Sequence, residues 1–253
     1  MLNKKNHPFF EGYNFFGFAH RGGTEEAAEN TLEAFQYASD MGFIFMETDV
    51  QATSDGEVVI FHDSNLRRMA GINKTISQLS YKEIKEIDLK KGGRIPNLRE
   101  LISSFPNLRF NIDIKTEKAV EGTVEIIRVQ KALERVCLAS FSSRRLSRIR
   151  QLAGPDCCTS MGQLEVMYLL MRSYGIPIQR SVGCCAEIPF SQWGVQIVTE
   201  RFLKCAHEEN KLVIVWTIDD EKEMKNLIDL GVDGLMTDCP SILCKVLNER
   251  NLI

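Results

Sequence analysis

Titratable side chains stand at the ends of short apolar runs in this sequence. The run "FFGFAH" ends in His20, and Arg21 follows it directly. The next such run, "FIFMETDV", carries Glu47 and Asp49 near its end. Successive side chains of a β-strand point to opposite faces, so two carboxylates two residues apart share one face if this run is a strand.

Three later runs end in a similar way. "VVIFHD" ends in His62 and Asp63, and "LRFNIDIK" carries Asp113 and Lys115 two residues apart. "KLVIVWTI", nearer the C-terminus, contains Trp216. The sequence therefore offers two histidines, several carboxylates and two cations, each placed where an apolar run ends.

This combination of side chains is typical of a phosphate site that holds a hard metal ion. Carboxylate oxygens suit Mg²⁺ or Ca²⁺, whereas a zinc site would recruit more His or Cys. Arginine and lysine would bind the phosphate charge that the metal neutralises only in part. Histidine transfers protons near neutral pH. We therefore expect the carboxylates, cations and histidines to converge at one rim.

These groups can converge only if the elements that carry them are aligned, and the sequence alternates between strand-like and helix-like patterns. The predicted strands are 15–20, 43–50, 108–115, 135–141, 156–160, 181–188, 211–218 and 234–238. The predicted helices are 31–41, 118–132, 143–152, 163–173, 201–209, 220–230 and 241–248. A short run at 195–199 could be a ninth strand or could replace the sixth.

Eight strands that alternate with helices, with no linker or repeat between them, favour a closed (β/α)8 TIM-type barrel over an open doubly wound sheet. Residues 1–253 then form one α/β domain. The segment at about 53–104 breaks the alternation with a tight "SDGE" turn and a polar, helix-like tract, and we predict a small insertion after strand two. Catalytic groups of such barrels lie at the C-terminal ends of the strands, where the titratable residues stand.

Charge and hydropathy exclude some classes of partner. The chain has 31 basic and 34 acidic residues, a net charge of −3, and no long basic run, which disfavours nucleic-acid binding. No apolar stretch approaches the length needed to span a bilayer, and the N-terminus lacks the apolar core of a signal peptide. We expect a cytoplasmic protein with a small-molecule substrate.

The eight cysteines show no zinc-binding or redox spacing. Two sites are adjacent pairs, Cys157–Cys158 and Cys184–Cys185, inside apolar runs. Neighbouring residues of a strand point to opposite faces, so these pairs cannot act together as ligands on one face. We interpret the cysteines as reduced, small core hydrophobes.

Five motifs in order, "AHRGG...ENT", "ETDV...T.DG..V..HD", "NIDIK", "WTID" and "DGLMTD", resemble those of glycerophosphodiester phosphodiesterases of the bacterial cytoplasmic type. The likeness runs over nearly the whole chain. It implies a (β/α) barrel that uses one divalent cation, Mg²⁺ or Ca²⁺, to hydrolyse glycerophosphodiesters to glycerol 3-phosphate and an alcohol.

The resemblance also implies a role for each matching residue. The acid/base pair corresponds to His20 and His62, which could exchange their roles, acting on a substrate hydroxyl or on a water. The metal ligands correspond to Glu47, Asp49 and Asp113, although many members carry Glu in place of Asp113. The residues implied to contact the substrate are Arg21, Lys115, Trp216 and Glu187.

Two alternatives stay open at this point. The same barrel could act on a lipid, as a lysophospholipase D or a sphingomyelinase D, for which we expect an apolar surface loop or a secretion signal. It could instead be a binding barrel without catalysis. A barrel that had lost catalysis would usually lack one of the histidines or carboxylates, and each motif position here holds a competent residue.

Overall fold

A computed structural model describes residues 7–192 and 194–252. Eight parallel strands form a barrel, in the order β1, β2, β4, β5, β6, β7, β10, β11 and back to β1. Their bounds are β1 Phe16–His20, β2 Phe45–Ala52, β4 Arg109–Ile114, β5 Val136–Ala139, β6 Cys158–Thr159, β7 Cys185–Pro189, β10 Leu212–Trp216 and β11 Gly234–Thr237. All eight predicted strands are confirmed.

The barrel closes between β6 and β7, where the pairing is short. A single parallel bridge joins Ser160 to Cys185. The Met161 amide donates to the Cys185 carbonyl at 2.8 Å, and the Cys184 amide donates to the Thr159 carbonyl at 2.7 Å. The run at 195–199 does not replace the sixth strand, because β8 (Ser191–Gln192) and β9 (Val195–Gln196) pair only with each other after β7.

Helices follow the strands as the 3.6-residue pattern predicts. Polar side chains begin several of them, as when Thr31 accepts a hydrogen bond from the Ala34 amide and Asp220 accepts one from Glu223. The bounds are α1 Leu32–Asp40, α2 Arg67–Ala70, α3 Tyr81–Ile84, α4 Leu98–Ser104, α5 Ala119–Val129, α6 Ser143–Ala153, α7 Gln163–Ser173, α8 Glu200–Glu208, α9 Glu221–Leu230 and α10 Pro240–Glu249.

The strand period of two divides the core into an outer and an inner part. Outward-facing residues such as Met46, Ile112 and Val213 pack under the helices in the largest cluster. The inner cluster is smaller and closes one end of the barrel with a 3₁₀ turn, Pro8–Phe10. Its aromatic members are Phe9, Phe10, Phe16, Phe18 and Phe45. Below the site the barrel is thus a packed core, which leaves only the opposite end for chemistry.

The segment between β2 and β4 leaves the barrel and packs on itself. Strand β3 (Val58–Ile60) runs antiparallel to β2, with Val50 paired to Ile60, and so carries His62 back to the barrel mouth. Residues of β3, α2 and α3 form a separate apolar cluster. Helix α4 lies within the predicted span of 53–104, but its apolar residues belong to the outer layer of the barrel core.

The eight cysteines are all free thiols, and five of them are buried. Among the described residues, no helix is both long enough and apolar enough to cross a bilayer.

Candidate active site

His20 is held by a carboxylate on each side at the C-terminal end of β1. Its Nδ1 lies 2.7 Å from Asp238 Oδ1, just after β11, and its Nε2 lies 3.6 Å from Glu47 Oε2. Burial opposes protonation of His20, but the negative charges of Glu47 and Asp238 outweigh it and raise the pKa of the imidazole. A carboxylate at Nδ1 favours the tautomer with its proton there, which leaves Nε2 to face the site.

Asp238 is itself fixed by the loop after β10. Asp219 Oδ1 accepts hydrogen bonds from the Asp238 amide at 2.7 Å and from Thr237 Oγ1 at 2.9 Å. The pKa of Asp238 is low: burial acts to raise it, and the hydrogen bond to His20 more than compensates. The ends of three strands therefore combine to orient one imidazole.

Arg21 turns the chain sharply away from β1. Its φ is +52°, and Gly22 and Gly23 follow at +80° and +100°. A Cβ at Gly22 would lie 2.8 Å from backbone and side-chain atoms of Ala34, so only glycine fits between this turn and α1. The turn brings the Arg21 amide to 3.0 Å from the Glu47 carbonyl and its guanidinium into the site.

The Arg21 guanidinium lies between two buried carboxylates. Its Nη1 donates to Glu29 Oε1 at 2.9 Å, and its Nε is 3.3 Å from Asp49 Oδ2. Asn30 orients Asp49 further, because its Nδ2 donates to Asp49 Oδ2 at 3.0 Å while its Oδ1 accepts from Thr48 at 2.8 Å. The "ENT" motif thus serves as a support for Arg21 and Asp49.

Lys115 bridges the carboxylates of two adjacent strands. Asp49 and Asp113 are register partners on β2 and β4, and Lys115 Nζ lies 2.8 Å from Asp49 Oδ1 and 2.6 Å from Asp113 Oδ2. Burial acts to raise the pKa of Asp49, but Lys115 and Arg21 hold it below its ordinary value. Burial acts to lower the pKa of Lys115, and the two carboxylates raise it. The lysine therefore stays charged within the site.

The negative charges of Glu47 and Asp113 are less well compensated by neighbouring cations than that of Asp49. Burial and the neighbouring charge of Asp49 raise the pKa of Glu47 to about 8. Burial also raises the pKa of Asp113, and its Oδ1 is buried with no hydrogen-bond partner among the described residues. A hard cation would supply the missing positive charge, and an all-oxygen donor set suits one. The donor chemistry at this mouth therefore fits a divalent cation, and binding one would draw Glu47, Asp49 and Asp113 closer together than the 4.8 Å within which they do not meet here.

His62 follows β3 and lies beside an acidic partner. Its Nδ1 is 2.9 Å from Asp63 Oδ1, and its side chain is 34% exposed. The Gln51 amide donates to the carbonyls of Phe61, His62 and Asp63 at 3.0, 3.2 and 2.7 Å, and so holds this turn against β2. Both histidines thus present Nδ1 to a carboxylate, which leaves Nε2 of each for the site.

Arg68, on α2, connects the His62 side of the site to the Arg21 side. It was not identified from the sequence. It donates to Glu29 through Nη1 at 2.6 Å and Nη2 at 2.7 Å, and to Asp63 Oδ2 through Nε at 2.7 Å. Because Glu29 also binds Arg21, the chain of contacts runs from His62 to Arg21. No sequence signal marks Arg68, since it lies in a short polar helix and not at a strand end.

Trp216 and Glu187 occupy other parts of the mouth. Trp216 ends β10 and packs edge-on against Phe141, with ring centroids 6.0 Å apart, and Lys115 Nζ lies 5.5 Å from the Phe141 ring centroid. Phe141 is 53% exposed, so the two rings form an open aromatic shelf beside the lysine. Glu187, on β7, accepts from Asn111 Nδ2 at 2.5 Å. Burial raises the pKa of Glu187 to about 7.

The residues predicted from the sequence therefore converge to different degrees. Direct contacts connect six of them, namely His20, Arg21, Glu47, Asp49, Asp113 and Lys115. His62 is connected through Asp63, Arg68 and Glu29, and Trp216 through Phe141. Glu187 faces the barrel interior, where its carboxylate contacts Asn111 and Cys185.

Comparison with known proteins identifies the family. Residues 20–242 match the model of the glycerophosphoryl diester phosphodiesterase family. The chain belongs to this family. It is 35% identical to the Mycobacterium tuberculosis protein named "Probable glycerophosphodiester phosphodiesterase 2", over 92% of this chain and 90% of that one. The predicted family and enzyme class, a phosphoric diester hydrolase, are confirmed.

Other relatives extend this comparison. A human lysophospholipase D is 27% identical over 89% of this chain and 83% of its own. The structure of a Parabacteroides distasonis glycerophosphodiester phosphodiesterase superposes with a TM-score of 0.77 at 25% identity, covering 94% and 99% of the two chains. The structure of an Oleispira antarctica phosphodiesterase, solved with sn-glycerol-3-phosphate, superposes with a TM-score of 0.76 at 22% identity. The match covers 92% of this chain and 96% of that one. These structures confirm the TIM-barrel fold, and enzymes of the family generally depend on a divalent metal.

The pKa of Glu47 leads to a testable pH dependence. Because this pKa is higher in the folded chain, at about 8, than its ordinary 4.5, the folded state binds the proton more tightly. The stability that the neutral carboxyl contributes is complete below pH 4.5 and is lost as the pH rises through 8. In metal-free protein, the stability of Glu47→Gln relative to the wild type should therefore increase by about 4 kcal/mol as the pH rises from 5 to 8, at about 1.4 kcal/mol per pH unit.

Urea unfolding at several pH values, with a chelator present, measures this difference. Glu86→Gln is the matched control, because Glu86 is exposed in the segment between β2 and β4 and should follow the wild-type curve. Parallel curves for the wild type and Glu47→Gln would contradict the raised pKa.

Proposed function

We propose that this enzyme hydrolyses small-molecule glycerophosphodiesters to glycerol 3-phosphate and an alcohol. The observation that carries the proposal is the contact set at the mouth, where His20, Arg21 and Lys115 meet three buried carboxylates. Such a set offers proton transfer and phosphate binding within one site. The Oleispira antarctica relative, solved with sn-glycerol-3-phosphate, supports the choice of product.

Glu47, Asp49 and Asp113 would hold the divalent cation, Mg²⁺ or Ca²⁺. The high pKa of Glu47 and the unpartnered Asp113 Oδ1 support these ligands. When bound, the cation would polarise a phosphoryl oxygen and lower the pKa of a coordinated hydroxyl. Lys115 already pairs with two of the three ligands, so it holds the carboxylates in place and keeps a second positive charge near the phosphate.

The histidines divide the proton transfers. His20 acts as general base, since Asp238 holds a proton on Nδ1 and leaves Nε2 to accept one from the attacking hydroxyl, of substrate or water. As the new phosphorus–oxygen bond forms, the bond to the departing alkoxide breaks. His62, oriented by Asp63 at Nδ1, acts in its imidazolium form: it donates the Nε2 proton to that alkoxide and is left neutral. Arg21 and Lys115 stabilise the charge that develops on the phosphoryl oxygens.

The eight free thiols support a reducing compartment, and we place the enzyme in the cytoplasm.

A lysophospholipid substrate is the second candidate. The aromatic shelf of Phe141 and Trp216 could pack against an acyl chain, because Phe141 is 53% exposed at the mouth. Similarity to a human lysophospholipase D supports this alternative. We favour the smaller substrate, because the shelf consists of only these two rings.

Turnover of defined substrates distinguishes these functions. We expect release of glycerol 3-phosphate from glycerophosphocholine and glycerophosphoethanolamine, with slower release of lysophosphatidic acid from lysophosphatidylcholine. A chelator should abolish turnover, and Mg²⁺ or Ca²⁺ should restore it, because the carboxylates then regain their cation. Circular dichroism controls for folding. Full turnover after exhaustive metal removal would contradict the roles of Glu47, Asp49 and Asp113.

Leaving-group chemistry tests the division between the histidines. His20→Ala and His62→Ala should each lower kcat by about 100-fold or more, as expected for lost acid–base catalysis. A p-nitrophenyl diester needs little protonation of its leaving group, so it should partly restore turnover in His62→Ala but not in His20→Ala. His207→Ala is the control, because His207 lies on α8 and pairs with Asp233 away from the mouth. Equal rescue of both variants would refute the assignment.

Lys115→Met separates a catalytic charge from a solvated one. Because Lys115 lies within 3 Å of both Asp49 and Asp113, its loss should affect the transition state and lower kcat by about tenfold or more, with a smaller change in KM. Steady-state kinetics at saturating metal measures both constants. An unchanged kcat/KM would mean that Arg21 and the metal bind the phosphate without Lys115.

A further inference from the structure

Three cysteines from consecutive strands face the barrel interior below the active site. They are Cys137 on β5, Cys158 on β6 and Cys185 on β7, and none has any exposed surface. Cys137 and Cys158 are register partners, and the bridge at Cys185 closes the barrel beside them. Burial raises the pKa of the Cys137 thiol, which is within hydrogen-bonding reach of Cys158 and Cys185.

A carboxylate completes this group. One ligand atom each from Cys137, Cys185 and Glu187 lie within 4.8 Å of one another. In the ranges 7–192 and 194–252, no other three His, Cys, Asp or Glu side chains come together as closely. The Cys185 thiol donates to Glu187 Oε1 at 3.4 Å. Sulfur and carboxylate ligands therefore meet within the barrel, where Cys137 is the register partner of Asn111, two residues before Asp113 on β4.

The spacing of these atoms fits a tetrahedral zinc ion. With zinc about 2.3 Å from sulfur and about 2.1 Å from oxygen, tetrahedral angles separate a sulfur and an oxygen ligand by about 3.6 Å. The observed Cys185 to Glu187 separation is 3.4 Å. Asn111, which is 1% exposed, donates to Glu187 and would orient that ligand as an outer partner. The Asn111 Oδ1 atom is buried without a hydrogen-bond partner among the described residues.

We propose that Cys137, Cys185 and Glu187 bind one thiophilic cation, Zn²⁺, with Cys158 next to the fourth coordination position. Binding displaces the thiol protons of Cys137 and Cys185 to solvent, so two thiolates and one carboxylate face the ion. Glu187 is half-buried, whereas Cys137 and Cys185 have no exposed surface, so solvent reaches the group on the Glu187 side. Thiolate ligands select such a cation over Mg²⁺ and Ca²⁺, which bind the oxygen-only carboxylates above.

Metal titration of the metal-stripped, reduced full chain tests this proposal. Addition of Cd²⁺ or Co²⁺ should give a thiolate-to-metal charge-transfer band that saturates at one equivalent, and an excess of Mg²⁺ or Ca²⁺ should not suppress it. Cys137→Ala/Cys185→Ala should lose the band. Cys205→Ala/Cys244→Ala is the matched control, because these cysteines lie on α8 and α10 outside the barrel interior, and it should keep the band.

Two further measurements do not depend on the folding of the double variant. In the wild-type protein with one equivalent of Zn²⁺, X-ray absorption should show sulfur scatterers at about 2.3 Å. Glu187→Gln, which keeps the shape of the side chain, should weaken Zn²⁺ binding about tenfold or more in competition with a chromophoric chelator. The proposal is overturned if folded wild-type protein gives no charge-transfer band, if zinc has only nitrogen and oxygen neighbours, or if the double cysteine variant binds as tightly as the wild type.

Discussion

The contact of Lys115 with Asp49 and Asp113 is the interaction on which the active site depends. Burying carboxylates side by side is costly, because each loses its hydration and repels the others. The ammonium group lies within 3 Å of both, and Arg21 compensates Asp49 from the other side. The same arrangement leaves Glu47 and one oxygen of Asp113 short of positive charge. A partly compensated set of acids retains affinity for a cation, whereas a fully paired set would not.

A second layer of ion pairs fixes the histidines, and it comes from segments that are distant in the chain. Asp219 and Asp238 orient His20 from the end of the barrel sequence, while Arg68 and Asp63 orient His62 from the segment after β2. Glu29 joins the two halves, because it binds both Arg21 and Arg68. The segment between β2 and β4 is therefore part of the proposed catalytic geometry, since it carries His62 and Arg68, and Arg68 connects His62 to the rest of the site through Asp63 and Glu29.

The sequence predicts the strand ends well and the contacts between them poorly. A period of two and the position of each polar residue at a strand end suffice for His20, Glu47, Asp49, Asp113 and Lys115, because parallel strands of a barrel bring their ends to one rim. Arg68 could not be predicted, since its role follows from the path of a short helix and not from any repeat. The sequence predicts the cysteines only as reduced, small core hydrophobes, whereas register and barrel closure bring Cys137, Cys158 and Cys185 together from strands that are separate in sequence.

The interior of the barrel changes in chemistry along its axis, and this order separates stability from reactivity. Phenylalanines fill the closed end, thiols occupy the middle, and charged groups line the mouth. The aromatic layer buries apolar surface and has no polar atoms that need partners. The free energy that this burial contributes to folding offsets the cost of burying several charges at the other end. The thiols are small and weakly polar, so they can pack against both the phenylalanines on one side and the polar residues on the other. Glu187 and Asn111 lie where the two environments meet, with Asn111 buried and Glu187 half-buried and hydrogen-bonded to it. A cation bound there by sulfur would add positive charge inside the barrel without competing for the carboxylate ligands at the mouth.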